Sequence, residues 1–152
     1  MAARPDSVCK YICTRGNWAV TNLQLQKILY LTQMVYMRRN NGDRLVDADF
    51  EAWDYGPVEP GVYRKVRMFG SSRIRDVFYH ARTFREDDKR RSVMDEVCKD
   101  LLPLRPGELV EITHWGKGAW ARYYEPGVRG IKIPGDAIIA EYKRRVEEGL
   151  ID

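Results

Sequence analysis

The chain is poor in the residues that most chemistry needs. Its 152 residues include 2 His and 3 Cys. A structural zinc site takes four ligands, usually in paired short spacings. Here only Cys9 and Cys13 are close, Cys98 stands alone, and His80 and His114 are far apart in sequence. Neither a metal site nor a cofactor is expected. The odd cysteine fits a reducing cytoplasm better than a secreted disulfide scaffold. There is no apolar run of 18 residues, so no membrane span is expected. The opening MAARPDSVCKYIC lacks the apolar stretch of a signal peptide, and the expected location is cytoplasmic. An excess of one charge is missing too. The chain has 26 basic against 22 acidic residues, a net charge of +4, which is a weak sign of a polyanionic partner.

Catalytic signatures are equally sparse. No G-x-S-x-G elbow occurs, and Gly116-Lys117-Gly118 is too short for a phosphate-binding loop. Glu51 and Asp54 flank Trp53, but strand alternation turns them apart, which does not suit paired carboxylate chemistry. His114 sits between Thr113 and Trp115 and reads either as a packed, hydrogen-bonded residue or as a general base. No catalytic residue is assigned, and the chain is read as a non-enzyme.

Glycine and proline cut the chain into short pieces. Asp6 or Ser7 can cap a first helix, with Val8, Tyr11 and Ile12 on one face and Gly16 after its end. Thr21 and Asn22 open the longest apolar-periodic stretch, to about Asn40, with Leu25, Ile28, Leu29, Val35 and Tyr36 at helical spacing. Leu31, Met34 and Met37 widen that face, which marks the helix as central. Residues 47–58 read as an extended segment ending in a turn at Gly56-Pro57. Pro60 starts a third helix that runs to about Phe69. Residues 73–79 partly alternate, as a short strand would. Glu86, Asp87 and Asp88 suit the start of a fourth helix, whose stripe is Val93, Met94, Val97, Cys98 and Leu101. A short helix spans about 107–113, and a looser glycine-rich region surrounds Trp120. Pro134 opens the last helix, with Ile138, Ile139, Tyr142 and Val146 inward. The fold class is mainly α: one compact domain over residues 1–152, five to seven helices, and room for a small β element.

Two groups of residues are candidates for binding. Seven Arg/Lys lie between Arg73 and Arg91, among them Arg73, Arg75, Arg82 and Arg85, mixed with four acids. This is either a phosphate-contacting surface or a solvated, salt-bridged connection. Several aromatics fall in turn-rich stretches: Trp53, Tyr55, Trp115, Trp120, Tyr123 and Tyr124. Aromatics beside Arg are typical interface anchors, and they also serve as plugs that hold irregular segments down.

Four blocks carry a family resemblance: TNLQLQKILY at 21–30, FEAWDYGPV at 50–58 followed by Pro60 and Tyr63, LVEITH at 109–114 with Trp120 beyond, and an I-x-I segment at 131–133 leading to a final helix. In this order they resemble the Panacea domain, the SocA-like antitoxin family that includes phage-associated proteins of the GepA type. The matching positions include Thr21, Asn22, Leu25, Lys27, Tyr30, Glu51, Gly56, Pro57, Tyr63, Thr113 and His114. Departures are Gln24 where Lys is common, Leu31 where an aromatic is common, and Ala119 where Pro usually precedes the tryptophan.

The resemblance implies an antitoxin of a two-gene system that binds a cognate toxin protein directly. Delivery to a AAA+ protease such as ClpXP, the activity of the name-giving member, is a further implication. The motif residues read largely as scaffold: Thr21 as a helix cap, Gln26, Lys27 and Tyr30 near a boundary, Trp53 and Tyr63 packed across the Gly56-Pro57 turn, and His114 bridging its helix end to a carbonyl. The alternative is a nucleic-acid-binding regulator from a phage or mobile element, using the basic connection. Nothing in the sequence sets the oligomeric state.

Overall fold

The computed structural model describes residues 1–151. The elements are α1 (Pro5–Arg15), α2 (Asn22–Arg39), β1 (Phe50–Trp53), β2 (Gly56–Val58), α3 (Pro60–Val66), a 3-10 turn (Arg67–Phe69), α4 (Arg90–Leu101), α5 (Pro106–Thr113), α6 (Ala119–Tyr123), β3 (Lys132–Ile133) and α7 (Gly135–Glu147). The domain is mainly α, with seven helices and one three-stranded antiparallel sheet of order β2-β1-β3 among the described residues.

Helix α2 is the axis of the fold. Thr21 and Gln24 form a reciprocal capping box: Thr21 Oγ1 accepts from the Gln24 amide at 3.4 Å, and Gln24 Oε1 accepts from the Thr21 amide at 2.9 Å. The departure at Gln24 therefore completes the cap. Every residue from Leu25 to Met34 is buried, because α1, α3, α4, α5, α7 and β2 all pack on this helix. A helix covered on all sides has no boundary face. Gln26, Lys27 and Tyr30, expected near a boundary, are thus fully internal. The buried glutamines are satisfied by backbone. Gln26 Oε1 accepts from the Glu59 amide at 2.8 Å, and Gln33 Oε1 accepts from Leu45 and Val46 at 2.8 and 3.0 Å.

The β1–β2 hairpin pairs Trp53 with Gly56, leaving Asp54 and Tyr55 as a two-residue turn. Phe50 and Ala52 face the core, while Glu51 and Trp53 lie on the other, half-buried face. Gly56 adopts φ +112°, a conformation L side chains rarely take.

Five local expectations are corrected. Helix α1 begins at Pro5, ahead of Asp6 and Ser7, with Arg4 at the cap position and no side-chain cap bond. Asp6 instead pairs with Lys65 at 2.5 Å. Residues 73–79 form no strand. Ile74 and Phe78, four apart, plug the core, and the segment's pairing is a single bridge from Thr21 to Arg73. Helix α4 starts at Arg90, since the Asp88 carboxylate accepts from the Arg90 amide and pairs with its guanidinium, turning the chain before the helix. The region around Trp120 is helical over Ala119–Tyr123 rather than loose. On α7, Val146 faces solvent and Arg145 is buried instead.

Candidate functional site

The hairpin stands over the first turns of α2, and between them opens a pocket of about 540 Å³. Leu23, Trp53, Val58 and Tyr63 give it apolar walls. Trp53 and Tyr63 meet edge to face, with centroids 4.9 Å apart, as the turn at Gly56-Pro57 leads one to expect. Trp53 is further fixed by its Nε1–H, which donates to Glu51 at 2.9 Å. The Arg129 guanidinium lies 4.5 Å from the Trp53 centroid, a cation–π contact.

At the floor is Lys27. It is fully buried, and its Nζ has no hydrogen-bond partner among the described residues. Burial alone pushes its ammonium down to about 7, because the charged form loses water and gains no counter-charge. The contact with the hairpin is close. A Cβ on Gly56 would fall 2.7 Å from Lys27 Nζ and 3.2 Å from Thr113 Oγ1. Asn22, in the first turn of α2, also lines the pocket, and its Oδ1 is likewise buried without a partner among the described residues.

A column of rings supports the hairpin from behind. His114 stacks on Trp120 at 3.9 Å and 10°, and Trp120 stacks on Tyr124 at 4.5 Å and 18°. The column is tied to the hairpin at three points. His114 bonds the Tyr55 backbone, Trp120 Nε1 donates to the Trp53 carbonyl at 2.7 Å, and Tyr124 donates its hydroxyl to Asp54 at 2.5 Å. Burial holds the His114 pKa below the usual value, the Tyr55 bond opposes this, and the nearby Lys27 charge adds to the lowering. This geometry makes His114 a positioning residue of the hairpin. Thr113 is equally structural, its hydroxyl donating to the Leu109 carbonyl at 3.1 Å.

A second buried polar cluster locks α6 and α7 onto α2. The Glu141 carboxylate accepts from Tyr30 at 3.0 Å, from the Ala119 amide at 2.8 Å and from Arg145 at 2.9 Å. Arg145 also donates to the Ile112 carbonyl at 2.5 Å and lies over Trp115, 4.6 Å from its centroid. Sequence reasoning missed Glu141, Arg145 and Arg129. The i, i+4 Glu-Arg spacing on the last helix was a readable signal for the first two, whereas Arg129 carried none.

The candidate binding residues are not gathered in one place. Trp53, Tyr55 and Trp120 gather at the hairpin, with Tyr55 at its tip and 73% exposed. Trp120 is buried, and Trp115 is half-buried under Arg145. Tyr123 is half-buried with Arg122 over its ring. Arg73, Arg75, Arg82 and Arg85 are all exposed. Arg73 bridges to Thr21 beside the pocket, while Arg82 and Arg85 line a separate groove with the N-terminal residues. Part of the basic segment is bonded internally: Arg85 pairs with Asp87, Arg90 pairs with Asp88, and Arg91 donates to the Phe84 carbonyl.

Among the described residues no three His, Cys, Asp or Glu gather closely enough to hold a metal ion. The three cysteines are free and buried. Burial is the main reason Cys13 is pushed up to about 12 and Cys98 to about 11, which leaves them as inert thiols near neutral pH. No helix is long and apolar enough to cross a membrane among the described residues.

Residues 25–121 match the model of the family described as "Antitoxin SocA-like, Panacea domain". The chain is also 28% identical over 110 residues to Antitoxin SocA of Caulobacter vibrioides (strain NA1000 / CB15N), a stretch covering 66% of this chain and 58% of that protein. It thus spans less than two thirds of that relative's length. No solved structure matches it.

Proposed function

This chain belongs to the SocA-like antitoxin family of Panacea domains, and from that membership we propose that it neutralises a cognate toxin protein by direct binding, without catalysis. The whole chain, 1–152, is proposed to act as one such domain. The observation that carries the reading is the hairpin. It offers an exposed aromatic tip, Tyr55, on a support that uses the family-motif residues Gly56, Thr113, His114 and Trp120. Aromatic anchors on a rigid base suit protein recognition, since little side-chain freedom is lost on docking. Trp53, Tyr55, Tyr123 and the adjacent Arg73 are the proposed contact residues, within an interface of roughly 1,600 Å² in total. The ion pairs of Arg85 with Asp87 and of Arg90 with Asp88 favour this reading over nucleic acid, because they partly neutralise two of the cations that would release counterions from phosphates.

The test is co-expression with the toxic product of the adjacent gene. The chain is expected to restore growth and to co-purify with that product. Tyr55→Asp is expected to lose both, with an unchanged melting temperature. Failure to rescue together with failure to co-purify refutes the proposal. Delivery to a AAA+ protease such as ClpXP is a second step of the proposal. It predicts that the toxin's half-life in cells shortens in the presence of this chain only when the protease is active.

A further inference from the structure

The pocket under the hairpin contains more than a protein-docking tip requires. Two buried polar atoms of opposite character belong to residues that line it, and neither has a partner among the described residues: Lys27 Nζ, a cationic donor, and Asn22 Oδ1, an acceptor. Buried polar groups are nearly always paired, so a pair of orphans at one cavity points to a missing partner. The rest of the lining is mainly apolar and aromatic, with Gln26, Asp54, Ser71 and Arg129 as its further polar members, and the volume of about 540 Å³ falls in the range of small-ligand sites.

We propose that this pocket binds a carboxylate that sits next to an N–H donor on an apolar body, the chemistry of an aromatic α-amino acid or of a peptide's C-terminal residue. The carboxylate pairs with Lys27, the N–H donates to Asn22 Oδ1, and the apolar side chain lies against Trp53 and Tyr63. A phosphate fits worse. A dianion would face the lone acceptor of Asn22 and the Asp54 carboxylate at the rim, with one buried cation to hold it and an exposed Arg129 already laid over Trp53. The Lys27 ammonium is covered by the turn at Gly56. Rotation about its last side-chain bonds brings it to the ligand, and it has no hydrogen bond to break among the described residues. This inference goes beyond toxin neutralisation and does not depend on it.

The test uses the full chain, labelled with 15N, and four probes: N-acetylphenylalanine, its C-terminal amide, free phenylalanine and inorganic phosphate. The acid is expected to shift the Trp53 indole and Gly56 amide resonances with a millimolar or tighter Kd. The amide is expected to bind about tenfold more weakly or worse, and phosphate to leave these resonances in place. In Lys27→Met the acid should lose at least about tenfold in affinity and match its amide. Free phenylalanine binding as well as the acetylated form identifies a free amino acid as the source, whereas a tenfold preference for the acetylated form identifies a chain terminus. Equal binding of acid and amide, unchanged binding in Lys27→Met, or no shift with any probe at millimolar concentration overturns the proposal. The acid–amide comparison on the parent protein decides the matter even if the variant folds poorly. Growth rescue by the co-expressed chain is a separate readout, so the two proposals fail independently.

Discussion

Lys27→Met should stabilise the protein, and the gain should depend on pH in a defined direction. Burial lowers the Lys27 ammonium from 10.5 to about 7, and each pH unit of separation corresponds to about 1.4 kcal/mol. Near pH 7 the unfolded chain holds the proton fully and the folded chain about half the time. The lysine therefore costs the folded state about 4 kcal/mol at that pH. Methionine keeps the length and most of the volume of the stem and carries no charge. We expect a gain of about 2–4 kcal/mol at pH 7, or about 5–15 °C in Tm for a chain of this size. Between pH 7 and 10.5 the unfolded parent binds one more proton than the folded parent, so its stability rises with pH. The gap between variant and parent should accordingly shrink by about 2 kcal/mol from pH 7 to pH 9. Urea denaturation followed by tryptophan fluorescence at both pH values measures this, and titrations common to the two proteins cancel in the difference. A variant less stable than the parent, or a gap that ignores pH, would refute the account of Lys27 as an uncompensated buried cation.

Three further outcomes follow from the same geometry. Glu141→Ala leaves Arg145 buried with only the Ile112 carbonyl as a hydrogen-bond partner among the described residues, and should cost about 3–5 kcal/mol in urea denaturation; a loss under about 1 kcal/mol would contradict the network. Gly56→Ala combines φ +112° with a Cβ 2.7 Å from Lys27 Nζ and should cost about 2 kcal/mol or more by thermal melting. His114 has a folded pKa held below 6.5, so the unfolded chain takes up its proton first as pH falls through 6.5. Parent stability should drop there, and His114→Gln should lack that drop in a melting series from pH 7.5 to 5.5.

How far the fold could be read depended on whether the local pattern and the tertiary environment agreed. The Thr21 cap, the long α2 helix, the Gly56-Pro57 turn and the Trp53–Tyr63 pair were all legible, since each is local or a short loop closure. The strand expected at 73–79 was not, because Ile74 and Phe78 answer to a core they meet only after folding. The early start given to α4 failed for a similar reason. Asp88 bonds forward to Arg90 and ends the turn before the helix begins. Val146 followed the helical stripe, but the face it belongs to was decided by Arg145 reaching Glu141 and Ile112.

The site shows the same division. Residue type and motif order alone marked out Lys27, Gly56, Thr113, His114 and Trp120, identified the family, and argued against metal, phosphate-loop and nucleophile chemistry. Periodicity also made α2 the central helix. Periodicity, however, ranks faces by apolar content and assigns a lysine or glutamine to the outside. Only the packing of five helices and a strand around α2 removed its outside altogether, leaving Lys27 buried without a partner among the described residues. The ring column that joins Trp120 and Tyr124, 67 and 70 residues on, to the hairpin, with His114 stacked on Trp120, is likewise a product of tertiary structure. Stacking and desolvation act between surfaces, and those surfaces exist only once the chain has folded.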